Sequence, residues 1–187
     1  FAYDLGQENY FWLDNLEAAD NITKASDNGA DNSQSVISNL EKEKEKKPDY
    51  QLSITNNLVS WGFQKATNRK IDAVIVHSSY DAIGDDPYDK TGLIAEYKSY
   101  GVAPHYLIDR KGRIYRLVED KNIAYHAGNS RMPDGRTGVN NFSIGIEMMN
   151  TKIDKYSAEE YNSLKYLVEY LKGKYPIKSV LGHKDIA

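Results

Sequence analysis

The 187-residue sequence contains no cysteine. Disulfide staples and thiolate metal ligands are therefore excluded, and any metal would have to be held by histidine, aspartate or glutamate. No apolar run approaches the ~20 residues that a membrane-spanning helix requires. Arginine-rich stripes, zinc-finger spacings and aromatic RNA-binding signatures are also missing. The 24 Lys and Arg are interspersed with 27 Asp and Glu, so nucleic acid is not the expected partner. Histidine is scarce, with only His77, His105, His126 and His183. The chain opens on Phe1, with no charged-then-apolar signal segment ahead of it, the pattern of a processed or excised fragment.

What is present suits one globular domain with an appendage, since hydrophobic residues make up 40% of the chain and a domain typically holds ~100–150 residues. The charge is uneven. Residues 1–50 carry 11 acids against 5 lysines, a net −6, and the remainder is net +3. Phe11, Trp12, Leu16 and Ala19 have the spacing of one amphipathic helix, followed by the turn-forming ASDNGADNSQS and the alternating charges of NLEKEKEKKPDY. These features predict an acidic N-terminal extension or linker over 1–50, with the main domain over 51–187.

The main domain carries sharper patterns. Ile71 to Val76 form a nearly continuous apolar run, expected of a buried central strand that ends at His77. Leu93, Ile94 and Tyr97 have helical spacing, with Gly101 as the stop. HYLID and RIYRLV, joined through Arg110, Lys111 and Gly112, predict an antiparallel hairpin. SIGIEMM alternates with period two, placing Glu147 with Ser143, Gly145 and Met149 on the face opposite Ile144, Ile146 and Met148. Ser157 and Glu160 form a capping-box pair ahead of Leu164, Leu167, Val168 and Leu171, and that helix should end near Gly173 and Pro176; KSVLGH reads as a last strand. Together these predict an α/β domain, a mixed central sheet flanked by helices.

Two of the four histidines, His77 and His183, stand just past apolar strands, where side chains emerge at a sheet edge. Spacing decides little, because no pair has the i, i+4 arrangement of a helical zinc motif, and a single strand-end histidine is more often a hydrogen-bonded structural residue than a ligand. A strand glutamate on the less apolar face is ordinarily solvated. Glu147 differs in having Gly145 two residues before it on the same face, where the missing side chain leaves room for a backbone or ligand to approach.

The stretches AVIVHSS, APHYLIDRKGRIYRLVEDKNIAYHAG, NNFSIGIEM and LGHKDIA occur in that order over roughly residues 68–187. In these the sequence resembles the zinc-dependent N-acetylmuramoyl-L-alanine amidases, the group of type 2 amidases, anhydromuropeptide amidases and peptidoglycan recognition proteins. The resemblance implies an amidase/peptidoglycan-recognition-like fold and hydrolysis of the amide between N-acetylmuramic acid and L-alanine in peptidoglycan. It implies His77 and His183 as zinc ligands, Glu147 as catalytic base, His126 as a cleft residue contacting substrate or oxyanion, and His105 as structural. A branch of the family has tyrosine immediately before the strand histidine; Pro104 stands there in this chain, which favours the Glu147 mechanism. The family's third ligand, an Asp or Cys, and an accompanying lysine are expected beyond Ala187, so that the domain reads as truncated at that end, and Asp185 belongs to the motif without being the ligand. Loops 78–92 and 127–142 are expected to wall a substrate groove, with Tyr80, Asn140 and Asn141 as contacts. The alternative is a non-catalytic peptidoglycan- or muropeptide-binding module, which the absent third ligand favours and the retained Glu147 opposes. Either reading implies work on the cell wall, by a secreted or wall-associated protein or by a phage lysin made in the host cytoplasm.

Overall fold

The computed structural model describes residues 52–187. The expected acidic extension and its amphipathic helix lie outside the described residues. The elements that follow are, in chain order, strands β1 (Ile54–Asn56), β2 (Phe63–Gln64) and β3 (Ala73–Ser79), helix α1 (Lys90–Tyr100), strands β4 (Tyr106–Ile108), β5 (Ile114–Arg116), β6 (Ile123–Ala124) and β7 (Ser143–Met149), helix α2 (Ala158–Lys174), and strand β8 (Ser179–Gly182). Six strands form one sheet in the order β1-β5-β4-β7-β3-β8, and β2 pairs with β6 separately. Only the β4–β5 hairpin is antiparallel within the larger sheet; β3, β7 and β8 run parallel in the middle and at one edge. The expected mixed sheet is what the chain forms.

The apolar run around Ile75 becomes β3 because a strand with a parallel neighbour on each side must bury both its faces. All seven of its residues are buried. The strand also extends further than the apolar run, so that His77 lies inside it and Ser78 and Ser79 belong to it rather than to a loop. β7 is buried along its whole length in the same way, so Glu147 is not solvated as a glutamate on a strand's less apolar face ordinarily is. Ser143, Gly145 and Glu147 occupy a covered face, the one on which Leu107 and Met149 pack against Leu93 and Tyr97 of α1.

The stop of α1 and the cap of α2 fall where their sequences predict, and Asp89 sets the start of α1. Asp89 caps α1 by accepting from the Thr91 and Gly92 amides, and Gly101 ends it in the left-handed conformation. Ser157 and Glu160 complete a reciprocal capping box on α2, whose buried stripe includes Leu164, Leu167, Val168 and Leu171. α2 sits on the sheet face opposite α1. The Tyr106 hydroxyl, pointing to that face from β4, meets Asp120 at 2.5 Å, and Lys174 and Tyr175 reach the same carboxylate at 2.7 and 2.9 Å. In the hairpin, Gly112 has φ +72°, and a Cβ there would lie 2.7 Å from the Glu159 carbonyl oxygen, so the turn that joins β4 to β5 packs on α2 only without a side chain.

Candidate active site at the strand ends

Parallel pairing brings three reactive groups into a row. β3 and β7 run side by side with His77 opposite Glu147, and β3 and β8 with Val76 opposite Gly182, so that His183 follows directly where β8 ends. All three sit towards the carboxyl ends of adjacent parallel strands, the region where open α/β sheets place their ligands. The His77 and His183 rings lie 5.0 Å apart, centroid to centroid. A tight turn (His183–Asp185) orients His183 after β8, and the Asp185 carboxylate is spent on it, accepting from the Gly182 amide at 2.8 Å.

Burial governs the charge state of the group. His77 is fully buried, and loss of hydration holds its pKa down to about 3, with His183 adding to the effect. His183 is shifted down for the same primary reason. Glu147 is 8% exposed, and burial pushes its carboxyl up to about 8 despite a hydrogen bond from Ser79, whose hydroxyl also touches that of Tyr97. Three buried polar atoms of this group have no protein partner: His77 Nδ1, His183 Nδ1 and Glu147 Oε2. Such atoms are rare because each forfeits its hydration for nothing in return. Two unpartnered imidazole nitrogens on rings 5.0 Å apart are what an acceptor-hungry cation would satisfy, so the residues fit zinc as two of the usual three or four protein ligands. Among the described residues no group of three or more His, Asp or Glu could hold a metal.

The remaining predicted residues separate into those that meet this centre and those that do not. A cavity of about 500 Å³ opens beside it, walled by Glu147, His183, His126, Tyr80, Tyr97 and Pro104 among others. The two expected loops contribute Tyr80 and Ala82 on one side and residues 127–130 on the other, and α1 and the segment before β4 supply a further wall. His126 is at the cavity, yet both its ring nitrogens are engaged inside the protein: Nδ1 lies 3.0 Å from His77 Nε2 and Nε2 lies 3.1 Å from Ser143 Oγ. Gly145 makes this position available. A Cβ on Gly145 would fall 2.3 Å from His126 Cγ, so the room expected beside Glu147 is filled by an imidazole rather than by a ligand.

Asn140 and Asn141 are not among the cavity's walls. The Asn140 side-chain oxygen instead accepts from the His126 and Ala127 amides at 3.1 and 2.9 Å, fixing the loop that carries His126. His105 is buried behind the site, where Nδ1 accepts from the Gly145 amide at 3.0 Å and Nε2 donates to the Asn122 carbonyl at 3.1 Å. Arg69 Nη1 lies 2.9 Å from the same Nε2, but with that nitrogen protonated the guanidinium serves the Asn122 and Ser143 carbonyls instead. Burial lowers the Arg69 pKa to about 10. Ser79, Tyr97 and Ser143 escaped the sequence reading. Ser143 could have been found, because it shares Gly145's and Glu147's face in a period-two strand; Tyr97 looked like helix core.

Fold and site together define a mixed-sheet amidase-like domain whose reactive groups converge at the ends of parallel strands. Residues 66–187 match the family model described as N-acetylmuramoyl-L-alanine amidase. The chain belongs to that family. It is 36% identical over 104 residues to the 1,6-anhydro-N-acetylmuramyl-L-alanine amidase AmpD of Enterobacter cloacae, an alignment covering 54% of each chain. Among solved structures it is similar to a selenomethionine AmpD derivative, with a TM-score of 0.61 and 25% identity over 74% of this chain and 85% of the other. It is also similar to the E. coli amidase AmiD in complex with the substrate anhydro-N-acetylmuramic acid-L-Ala-D-gamma-Glu-L-Lys, with a TM-score of 0.54 and 26% identity over 67% of this chain and 58% of the other. The chain spans about half the length of the curated relatives it matches. Among the described residues no helix is long and apolar enough to cross a membrane.

Proposed function

We propose that the protein is a zinc-dependent amidase that hydrolyses the bond between N-acetylmuramic acid and L-alanine in peptidoglycan or its muropeptide fragments. One observation carries this reading: two imidazoles with unpartnered buried Nδ1 atoms stand at adjacent strand ends with a buried carboxylate that has an unpartnered oxygen, and His183 and Glu147 line one cavity with His77 buried behind them. His77 and His183 would hold the zinc, with a third protein ligand expected beyond Ala187. When bound, zinc lowers the pKa of water and polarises the scissile carbonyl.

Glu147 takes the proton from the attacking water and delivers it to the leaving amide nitrogen. Burial raises the proton affinity of this carboxyl in the metal-free protein, the direction that favours keeping the captured proton near the leaving nitrogen rather than losing it to solvent. Ser79 orients the carboxyl through its hydroxyl, and Tyr97 steadies Ser79. Tyr80 lines the cavity and is proposed as one contact for an extended polar substrate. Intact peptidoglycan as substrate would place the site of action outside the cytoplasmic membrane or at the wall, or make the protein a phage lysin. Residues 1–50 are proposed as an extension separate from the 51–187 domain.

Incubation of the zinc-supplemented protein, extended past Ala187, with purified peptidoglycan tests the reading; released stem peptides bearing a free L-alanine amine are the expected product. A muropeptide-binding module is the second reading, favoured by the presence of only two imidazole donors at the site among the described residues. Binding without release, despite bound zinc, would select it.

A further inference from the structure

We infer that His126 and Ser143 form a hydrogen-bond relay that sets the tautomer of His77 and leaves the His77 Nδ1 lone pair free for a metal, an inference that rests on the metal-site reading above. The polarity of the relay follows from its fixed end. The Val139 carbonyl can only accept, and Ser143 Oγ lies 2.7 Å from it, so the single hydroxyl proton of Ser143 is donated there. Towards His126 the same oxygen must then accept, which puts the His126 proton on Nε2, 3.1 Å away. His126 Nδ1 is left as an acceptor, and the ring nitrogen facing it at 3.0 Å, His77 Nε2, must carry the proton between them. A neutral imidazole bears one N–H, so His77 Nδ1 is bare. That atom is the buried one with no protein partner.

The arrangement is built, not incidental. Gly145 admits the His126 ring, and Asn140 holds the His126 and Ala127 amides. Ser143 is fully buried at the start of β7. Metal-bound histidines usually donate their second N–H to a carboxylate, carbonyl or water, and here an imidazole takes that part. His126 and Ser143 are therefore positioning residues, acting on the metal through His77.

The test pairs a tautomer readout with a binding readout on the full chain. In metal-free wild-type protein, long-range 15N–1H correlation should show His77 protonated on Nε2 and bare on Nδ1; a dominant Nδ1–H form would overturn the relay. In zinc titrations against a chromophoric chelator, His126→Leu should weaken binding ~10–100-fold, and Ser143→Ala roughly 2–10-fold through loss of one hydrogen bond. His126→Asn, whose side-chain oxygen can stand where Nδ1 was, should recover most of the affinity. If His126→Leu does not fold, the Ser143→Ala affinity and the wild-type tautomer decide. The two readings fail differently. Unchanged affinity in His77→Ala would overturn the metal site and the relay together, whereas unchanged affinity in His126→Leu and Ser143→Ala, with binding lost in His77→Ala, would overturn the relay alone.

Discussion

Replacing Glu147 by glutamine should make the metal-free protein more stable while it abolishes turnover. Burial lifts the carboxyl from an ordinary 4.5 to about 8. A group whose pKa is raised in the folded state binds its proton more tightly there, so folding is helped at low pH. That help is fully present below 4.5 and is lost as pH rises to 8. Relative to the protonated form, at about 1.4 kcal/mol per pH unit, the wild-type carboxyl costs almost nothing at pH 4, ~3 kcal/mol at pH 7 and close to ~5 kcal/mol above pH 8. Glutamine does not ionise, although its amide nitrogen lands where Oε2 has no partner, a penalty of about 1 kcal/mol. The net gain is then about 2 kcal/mol at pH 7, or roughly 4–8 °C in thermal midpoint for a chain of this size. Thermal unfolding of both proteins in chelator, from pH 5 to pH 9, measures it directly. The wild-type midpoint should fall relative to the variant across that range. Parallel profiles would refute the claim that Glu147 is held in an environment hostile to its charge. In the zinc-loaded protein the same variant should lose ~10²–10⁴ of its hydrolytic rate, and an undiminished rate would remove Glu147 from the mechanism.

Chelation of zinc, or His183→Ala, should abolish stem-peptide release, and readdition of zinc should restore it only to the wild-type protein. Gly145→Ala would press a methyl group to 2.3 Å from His126 Cγ, so it should cost about 1–3 kcal/mol and displace the His126 ring, read by denaturant unfolding and by His126 chemical shifts. Asp120 is shifted down because, although burial opposes it, the hydrogen bonds from Lys174, Tyr106 and Tyr175 prevail. Its contribution is present above 3.8 and is lost as pH falls through the lower folded value. Lys174→Met should therefore destabilise by about 1–2 kcal/mol at pH 7, the lysine being 42% exposed, and by less near pH 3; equal losses at both would refute it. Ser157→Ala removes the α2 cap and should cost about 1 kcal/mol in unfolding free energy.

Local order was legible because it depends on neighbours in the chain. The capping box at Ser157 and Glu160, the stop at Gly101 and the hairpin through Gly112 each rest on residues within a turn of one another, and each forms where its residues stand. The four ordered stretches around His77, His126, Glu147 and His183 pointed to the family for a related reason: each is a contiguous run. What could not be read was burial on the second face of β7. Period two separates two faces of a strand but does not say what covers either, and α1 together with His126 covers the one that looked polar.

The helix caps, the hairpin turn and the order of the motifs were thus determined by the sequence alone, while the extent of β3 was not. The pairing of β7, β3 and β8 decided the rest. Parallel register set Glu147 beside His77 across 70 residues of chain and brought His183 to the adjacent strand end, and burial there changed the chemistry of all three. A pKa, a tautomer and an unpartnered lone pair depend on how much water and which neighbours surround an atom, and those belong to the packed structure.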